Sequence, residues 1–368
     1  MKKKRLLVLA NGNYIFGAER VTINILQGLK EKGYTVHCIV SGWNDGNFIK
    51  YLQQLEIPYT SIKLGWYYLT QIKWSFDSLI HYPGALLQFL QIKKKFAHDY
   101  IYVISFRQIA LLYPFLKKNI IYHVHDNNGI KRQSIFFLKW VDKKVVRYIA
   151  VSHFIKKDLV NCGISPEKIE VIYNGIKIQP VFKSLKENFF TIGIVGQILP
   201  TKGHDMVVEA FRILRERGCT AHLFIVGKGN EKFIESLKQR ISLYNLEEYV
   251  FWKGFLNSPP EIYAGIDVIV APSTLSEAFG LMACEANMFT IPAVVTNRGG
   301  QPEIIEDGFN GYVVDPINPV DIADKLMKLY NDPGLVKQMG ENGRQKVIEK
   351  FSVEKMNAYF NALIENLE

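Results

Sequence analysis

Apolar positions fall into short unbroken runs separated by longer amphipathic stretches. In the first half the runs are residues 6–9, 35–40, 100–104, 120–124, 148–151 and 170–173. They are rich in β-branched and aromatic side chains and too short for ordinary helices, which predicts buried strands. Between them, residues 18–32, 85–96 and 131–144 place apolar side chains every three or four positions, the spacing of amphipathic helices. The second half repeats the habit, with strands predicted at 190–195, 221–226, 249–251, 268–271, 293–296 and 312–313. Its helices are predicted at 204–217, 231–244, 280–287 and 319–330, and a last amphipathic stretch covers 353–367.

Alternation of apolar strands with helices predicts parallel sheets covered on both faces. Two such series predict an α/β chain of two Rossmann-like, doubly wound domains, with ligand at the carboxyl ends of the strands, in an interdomain cleft. The length of 368 residues also exceeds what one core usually supports. The expected division is a first domain over 1–178, a polar linker at 179–188, a second domain over 189–350 and a final helical segment over 351–368.

Composition narrows the class. With 48% hydrophobic and 22% charged residues the chain is a folded protein, not a disordered one. No run reaches the roughly 18 apolar residues of a membrane span, since Arg107 interrupts the longest candidate. The N-terminal apolar run is too short for a signal peptide, and the four scattered cysteines suggest neither disulfides nor zinc. A cytoplasmic location is expected. Residues 1–178 carry 26 Lys and Arg against 11 Asp and Glu, a net +15, whereas the remainder is net −5. The basic half is therefore expected to meet an anionic partner. Two stretches combine aromatic and basic residues, 66–96 and 131–147, as interfacial helices do. A peripheral contact with an anionic membrane, on its cytoplasmic face, is expected through this half. No nucleic-acid-binding motif accompanies the charge.

Candidate chemistry lies at predicted strand ends. The loop NGNYIFGAER holds Gly12 and Gly17 before the first helix, without the pattern of a P-loop or a dinucleotide fingerprint. YHVHDNNG places His123, His125 and Asp126 at a strand terminus, where a histidine beside a carboxylate can handle a proton. One of the two histidines is expected to be structural, turned to the opposite face of the strand. GIVGQILPTKG supplies Gly196 and Lys202, a close backbone approach and a cation suited to a phosphate or diphosphate. PSTLSEAFGLMACEA carries Glu277 at an expected helix start and Glu285 eight residues later. On one helix these carboxylates would stand roughly 12 Å apart, too wide for a glycosidase pair and suited to gripping an extended ligand twice.

Taken together, NYIFGAER, HVHD, RYIAVS, VIYNGI, GQILPTKG, FIVGKG, YVFWKGF, DVIVAPSTLSEAFGLMACEA and NRGGQPEIIEDGFNGYVV resemble, in order and spacing, the retaining GT-B glycosyltransferases of family four. The resemblance runs from residue 11 to about 315. It implies that Glu277 contacts the donor sugar, Glu285 the ribose hydroxyls of the nucleotide, and Lys202 the diphosphate. Phe279, Gly280 and Leu281 would offer backbone N–H groups, Gly17 would lie beneath the donor and His125 near the transferred sugar. The region 227–229, beginning at Gly227, would border the base, and the last helix would brace the N-terminal domain. Gln197 stands where many members carry arginine, and Phe16-Gly17 replaces a commoner glycine pair.

The resemblance implies transfer of a sugar from a nucleotide-sugar donor, UDP-linked by default, to a glycan or lipid-linked acceptor in polysaccharide, lipopolysaccharide or capsule assembly. No Asp-x-Asp motif is present, so no metal and no other cofactor are expected. A sugar-nucleotide epimerase and a non-catalytic nucleotide-binding scaffold of a glycan-assembly complex are the competing readings.

Overall fold

The computed structural model describes residues 3–10, 15, 17–65, 72–126, 132–181, 189–315 and 318–367. The first loop's Asn11, Gly12, Asn13, Tyr14 and Phe16, the aromatic run 66–68, Lys131 and linker residues 182–188 lie outside them. The chain divides into two compact units, Met1–Gly175 with Val353–Glu368, and Ile176–Ser352.

The first unit is built on β1 (Arg5–Leu9), β2 (Thr35–Ser41), β3 (Tyr59–Ile62), β4 (Tyr100–Val103), β5 (Ile120–Val124), β6 (Val145–Ala150) and β7 (Ile169–Val171). They pair in parallel in the order β3-β2-β1-β4-β5-β6-β7. All of β4 and β5 is buried, which is why these strands read as unbroken apolar runs. The helix Gly17–Glu31 lays Ile25 and Leu26 on the sheet with the C-terminal helix Val353–Glu365, whose Met356, Phe360 and Ile364 join the same core. The ring of Phe360 meets Tyr102 edge-on at 5.3 Å. Each such buried side chain contributes about 1.5–3 kcal/mol.

The second unit holds β8 (Thr191–Val195), β9 (His222–Val226), β10 (Val250–Gly254), β11 (Val268–Ala271), β12 (Ala293–Thr296) and β13 (Gly311–Val314), in the order β10-β9-β8-β11-β12-β13. All its pairings are parallel. Both sheets reverse strand order once, between β1 and β4 and between β8 and β11, as doubly wound sheets do.

Several elements differ from expectation, among them the unanticipated helices Asn47–Gln54, Phe106–Leu112 and His153–Asn161. β3 was not anticipated, because an edge strand with only Ile62 buried lacks an apolar run. The helix expected from residue 85 spans Ile72–Lys95 and passes through Pro83. Pro83 removes the N–H that would bond the Leu79 carbonyl, but buried Ser78, Ala85 and Phe89 anchor one face on both sides of it. The unanticipated helix Pro333–Lys350 packs through glycines: a Cβ on Gly340 would fall 1.9 Å from the Thr290 carbonyl oxygen. Close backbone approach at Gly340, beside buried Met339 and Val347, holds this helix in place.

Candidate active site

In the second unit the candidate residues gather where the strand order reverses. β8 ends at Val195, and the chain continues through Gly196 and Gln197 into a short 3-10 turn, Pro200–Lys202. β11 ends at Ala271, and its loop carries Ser273 and Glu277. The two loops are joined by the Thr274 N–H donating to the Thr201 carbonyl at 3.0 Å. Across this junction the Lys202 ammonium donates to Glu277 Oε1 in a half-buried ion pair. Ser273 Oγ, 2.5 Å away, donates to the same oxygen.

Beneath Glu277 lies a buried polar support. Thr296 Oγ1 stands 2.9 Å from the Ser273 carbonyl oxygen and 3.2 Å from Gln301 Oε1, while Gln301 Nε2 donates to the Ala271 carbonyl at 3.3 Å. Ser273, Thr296 and Gln301 are all buried, so this network fixes the loop rather than solvating it. From above, Gly299 of the loop after β12 presses on Glu277. The Gly300 N–H donates to the Glu277 carbonyl at 2.8 Å, and a Cβ on Gly299, whose φ is +71°, would lie 2.0 Å from that oxygen.

Glu277 is not on the helix that sequence analysis gave it. Gly280, at φ +107°, caps a helix that begins only at Leu281 and runs to Met288. The helical rise assumed between Glu277 and Glu285 therefore does not apply, since three residues, Ala278, Phe279 and Gly280, intervene before the helix. Glu285 lies within the helix, half-buried, and accepts a hydrogen bond from Tyr263 Oη at 3.1 Å. Phe279 turns its ring into the core, edge-on to Phe351 at 5.7 Å, so only its backbone faces the loop.

On the other side of β8, the loop after β9 closes the rim. Ile198 N–H donates to the Lys228 carbonyl, Asn230 N–H to the Ile198 carbonyl, and Gly227 N–H to the Gly254 carbonyl. A Cβ on Gly227 would come within 1.8 Å of the Gly196 carbonyl oxygen, so only glycine lets these strand-end loops touch. Gln197 is exposed on this rim. The structure thus brings Gln197, Lys202, Gly227, Glu277, Gly280, Leu281 and Glu285 to the carboxyl ends of β8, β9 and β11.

Gly17 and His125 belong to the first unit, where Gly17 opens the first helix and His125 follows β5. The expectation that the two histidines face opposite ways is corrected: their ring centroids are 4.0 Å apart. Residues two apart on an extended chain share a face. Tyr102 Oη lies 2.6 Å from His123 Nδ1. The Nε2 atoms of both histidines are buried without a protein partner among the described residues. Burial lowers the His125 pKa to about 3, and burial together with His125 holds His123 well below its usual value. Both rings are therefore neutral at physiological pH. Asp126 is exposed.

Sequence reasoning missed Tyr263, Ser273, Thr296 and Gln301. Ser273 sits inside a motif already singled out, four residues before Glu277. Gln301 likewise lies inside the quoted NRGGQPEIIEDGFNGYVV, whereas Tyr263 and Thr296 reach the site only through folding.

The comparisons follow the same two-part division. Residues 177–346 match the model of glycosyl transferases group 1, and residues 15–179 that of glycosyltransferase family 4. The chain belongs to this glycosyltransferase family. The capsular polysaccharide biosynthesis glycosyltransferase CapM of Staphylococcus aureus is 26% identical over 273 residues, covering 67% of this chain and 71% of CapM. The UDP-Gal:α-D-GlcNAc-diphosphoundecaprenol α-1,3-galactosyltransferase of Escherichia coli is 26% identical over 256 residues, 63% of this chain and 66% of that one. The crystal structure of Anabaena Alr3699/HepE in complex with UDP and glucose shares the fold, with a TM-score of 0.82 at 20% identity, covering 99% of this chain and 100% of that one. This glycosyltransferase is accordingly of the GT-B fold class. No helix among the described residues is long and apolar enough to cross a membrane.

Proposed function

We propose that this glycosyltransferase moves a sugar from a UDP-linked donor to a hydroxyl of a glycan or lipid-linked acceptor, with retention at the anomeric carbon and without a metal ion. The pathway proposed is cell-surface polysaccharide assembly. The observation that carries the reading is the pairing of Lys202 with Glu277 at the strand-order reversal, supported by Ser273. A cation and a carboxylate held side by side suit a ligand that presents an anionic diphosphate next to sugar hydroxyls. The UDP-galactose and diphosphoundecaprenol in the name of the Escherichia coli relative, and the UDP in the Anabaena structure, support the donor and acceptor classes.

In this reading the barrier is set by charge on the departing diphosphate. Lys202 receives that charge, with the first-turn N–H groups of Leu281–Met288 adding the positive end of the helix dipole. Gln197 donates a neutral amide hydrogen bond where an arginine would add a second charge. Glu277 orients the sugar, and Glu285, steadied by Tyr263, takes the ribose hydroxyls. The backbone of Phe279, Gly280 and Leu281 faces the sugar and diphosphate, and Gly227 the base. The C1–O bond to phosphate breaks as the acceptor oxygen bonds C1 on the same face. The acceptor proton passes to the departing phosphate oxygen. Proton NMR of the product, made with a chelator present, tests this: an anomeric configuration equal to the donor's is expected. An inverted product, or activity lost to the chelator, overturns it.

A further inference from the structure

The helix Ile72–Lys95 is apolar on two opposite faces. Ser78, Ala85 and Phe89 are buried against the first unit, yet Phe76, Leu79, Ile80 and Leu87 are 57–64% exposed. Phe76, Ile80 and Leu87 recur at intervals of four and seven residues, which at about 3.6 residues per turn aligns them in one stripe with Leu79 beside it. A helix hydrophobic all round is ordinarily covered on every side. Across the described residues, nineteen large apolar side chains are exposed, and seven belong to this helix and to Arg132–Asp142, where Phe136 and Phe137 lie. Both helices rest on the same intervening segment. Tyr82 Oη donates to the Leu111 carbonyl at 2.8 Å, and Trp140 stacks on Tyr113 at 3.6 Å.

Charge selects what covers the stripe. Lys73, three residues before Phe76, and Lys94, seven after Leu87, project from the same face and are exposed. The helix ends in Lys93, Lys94 and Lys95. Lys117 and Lys144 lie close enough to Lys93 to depress its pKa, after burial. The one carboxylate of the helix, Asp77, is turned aside to accept from Trp43 Nε1 at 2.7 Å. A two-fold contact between copies would set these cations against themselves, which disfavours self-association. An anionic bilayer satisfies both features, taking the apolar side chains below the headgroups and the lysines among the phosphates.

We propose that the outer face of Ile72–Lys95 is the surface by which this protein docks on an anionic membrane, Phe76, Ile80 and Leu87 inserting and Lys73 and Lys94 pairing with lipid phosphates. This narrows the charge of the whole first half to one helix face and is independent of the donor chemistry proposed above.

The test is co-sedimentation of the full chain with vesicles of phosphatidylcholine, alone or mixed with phosphatidylglycerol, at low and raised salt. The wild type is expected on the mixed vesicles only, with binding weakened by salt. The variant F76S/I80S/L87S should bind at least about tenfold more weakly and K73Q/K94Q severalfold, as buried apolar area and surface charge each contribute. Phe76→Ser alone, the milder change, guards against a folding defect and should give an intermediate loss. UDP-sugar turnover should be unchanged in all three, so membrane binding and transferase chemistry fail separately. Binding of the triple variant equal to wild type, or no binding by wild type, overturns the proposal. So does sedimentation equilibrium without vesicles showing a dimer that F76S/I80S/L87S dissociates.

Discussion

Replacing Glu277 by glutamine is expected to tighten nucleotide binding while abolishing transfer. Lys202 already has a partner, the Glu277 carboxylate, which also accepts from Ser273. A diphosphate must take Lys202 away from it. The side chains are 35% and 24% exposed, so solvent screens the pair and holds its worth to about 1–2 kcal/mol. Glutamine keeps the shape and the acceptor for Ser273 but lacks the charge. UDP should therefore bind Glu277→Gln about five- to thirtyfold more tightly than wild type, measured by isothermal titration calorimetry. Lys202→Met should bind more weakly than wild type, and the double variant should match Lys202→Met, since no competition remains once the lysine is gone. This cycle isolates the pair from whatever else each residue does. Weaker UDP binding by Glu277→Gln, or a double variant distinct from Lys202→Met, would refute the reasoning.

Three further outcomes are expected. Ser273→Ala removes one charge-assisted hydrogen bond to Glu277 and should lower kcat about tenfold with little change in donor KM, read by steady-state kinetics. Gly299→Ala forces a Cβ to 2.0 Å from the Glu277 carbonyl oxygen at φ +71°, and should destabilise the second unit by about 2–4 kcal/mol, seen as a lowered Tm together with loss of activity. His204, 1% exposed, has its pKa lowered to about 4, chiefly by burial. Between about pH 6.5 and 4 the unfolded chain therefore binds a proton that the folded one does not, and stability falls as pH drops through that window. Between pH 7 and 5 this amounts to about 2 kcal/mol, and His204→Gln should lose that much less over the same range in urea titrations.

Much of the fold was legible because its strands are buried on both faces. β5, β11 and β12 coincide with their apolar runs, residue for residue. What escaped was short, placed at an edge or docked partly through glycine; the helix Asn47–Gln54, for one, buries only Phe48 and Leu52. β3 is half-exposed at a sheet edge, and Pro333–Lys350 docks through Gly340 and Gly343. Lys202, Glu277 and Glu285 could be singled out because strand-end loops of doubly wound sheets collect ligands. Their mutual geometry could not. The left-handed Gly280 that keeps Glu277 off the helix is a backbone angle, and the Thr296 and Gln301 support joins residues 23 and 30 positions distant from their partners. The neighbouring histidines show the reverse case, a two-residue spacing that by itself puts both rings on one side.

The most direct test of the account is nucleotide release from a panel of UDP-, GDP- and ADP-sugars, without and with a lipid-linked glycan extract, comparing wild type with Glu277→Ala and Lys202→Ala. The account predicts slow release from a UDP-sugar, accelerated by the extract and lost in both variants. Tight nucleotide binding with no turnover under any condition, or release that survives the loss of Lys202 and Glu277, would contradict it.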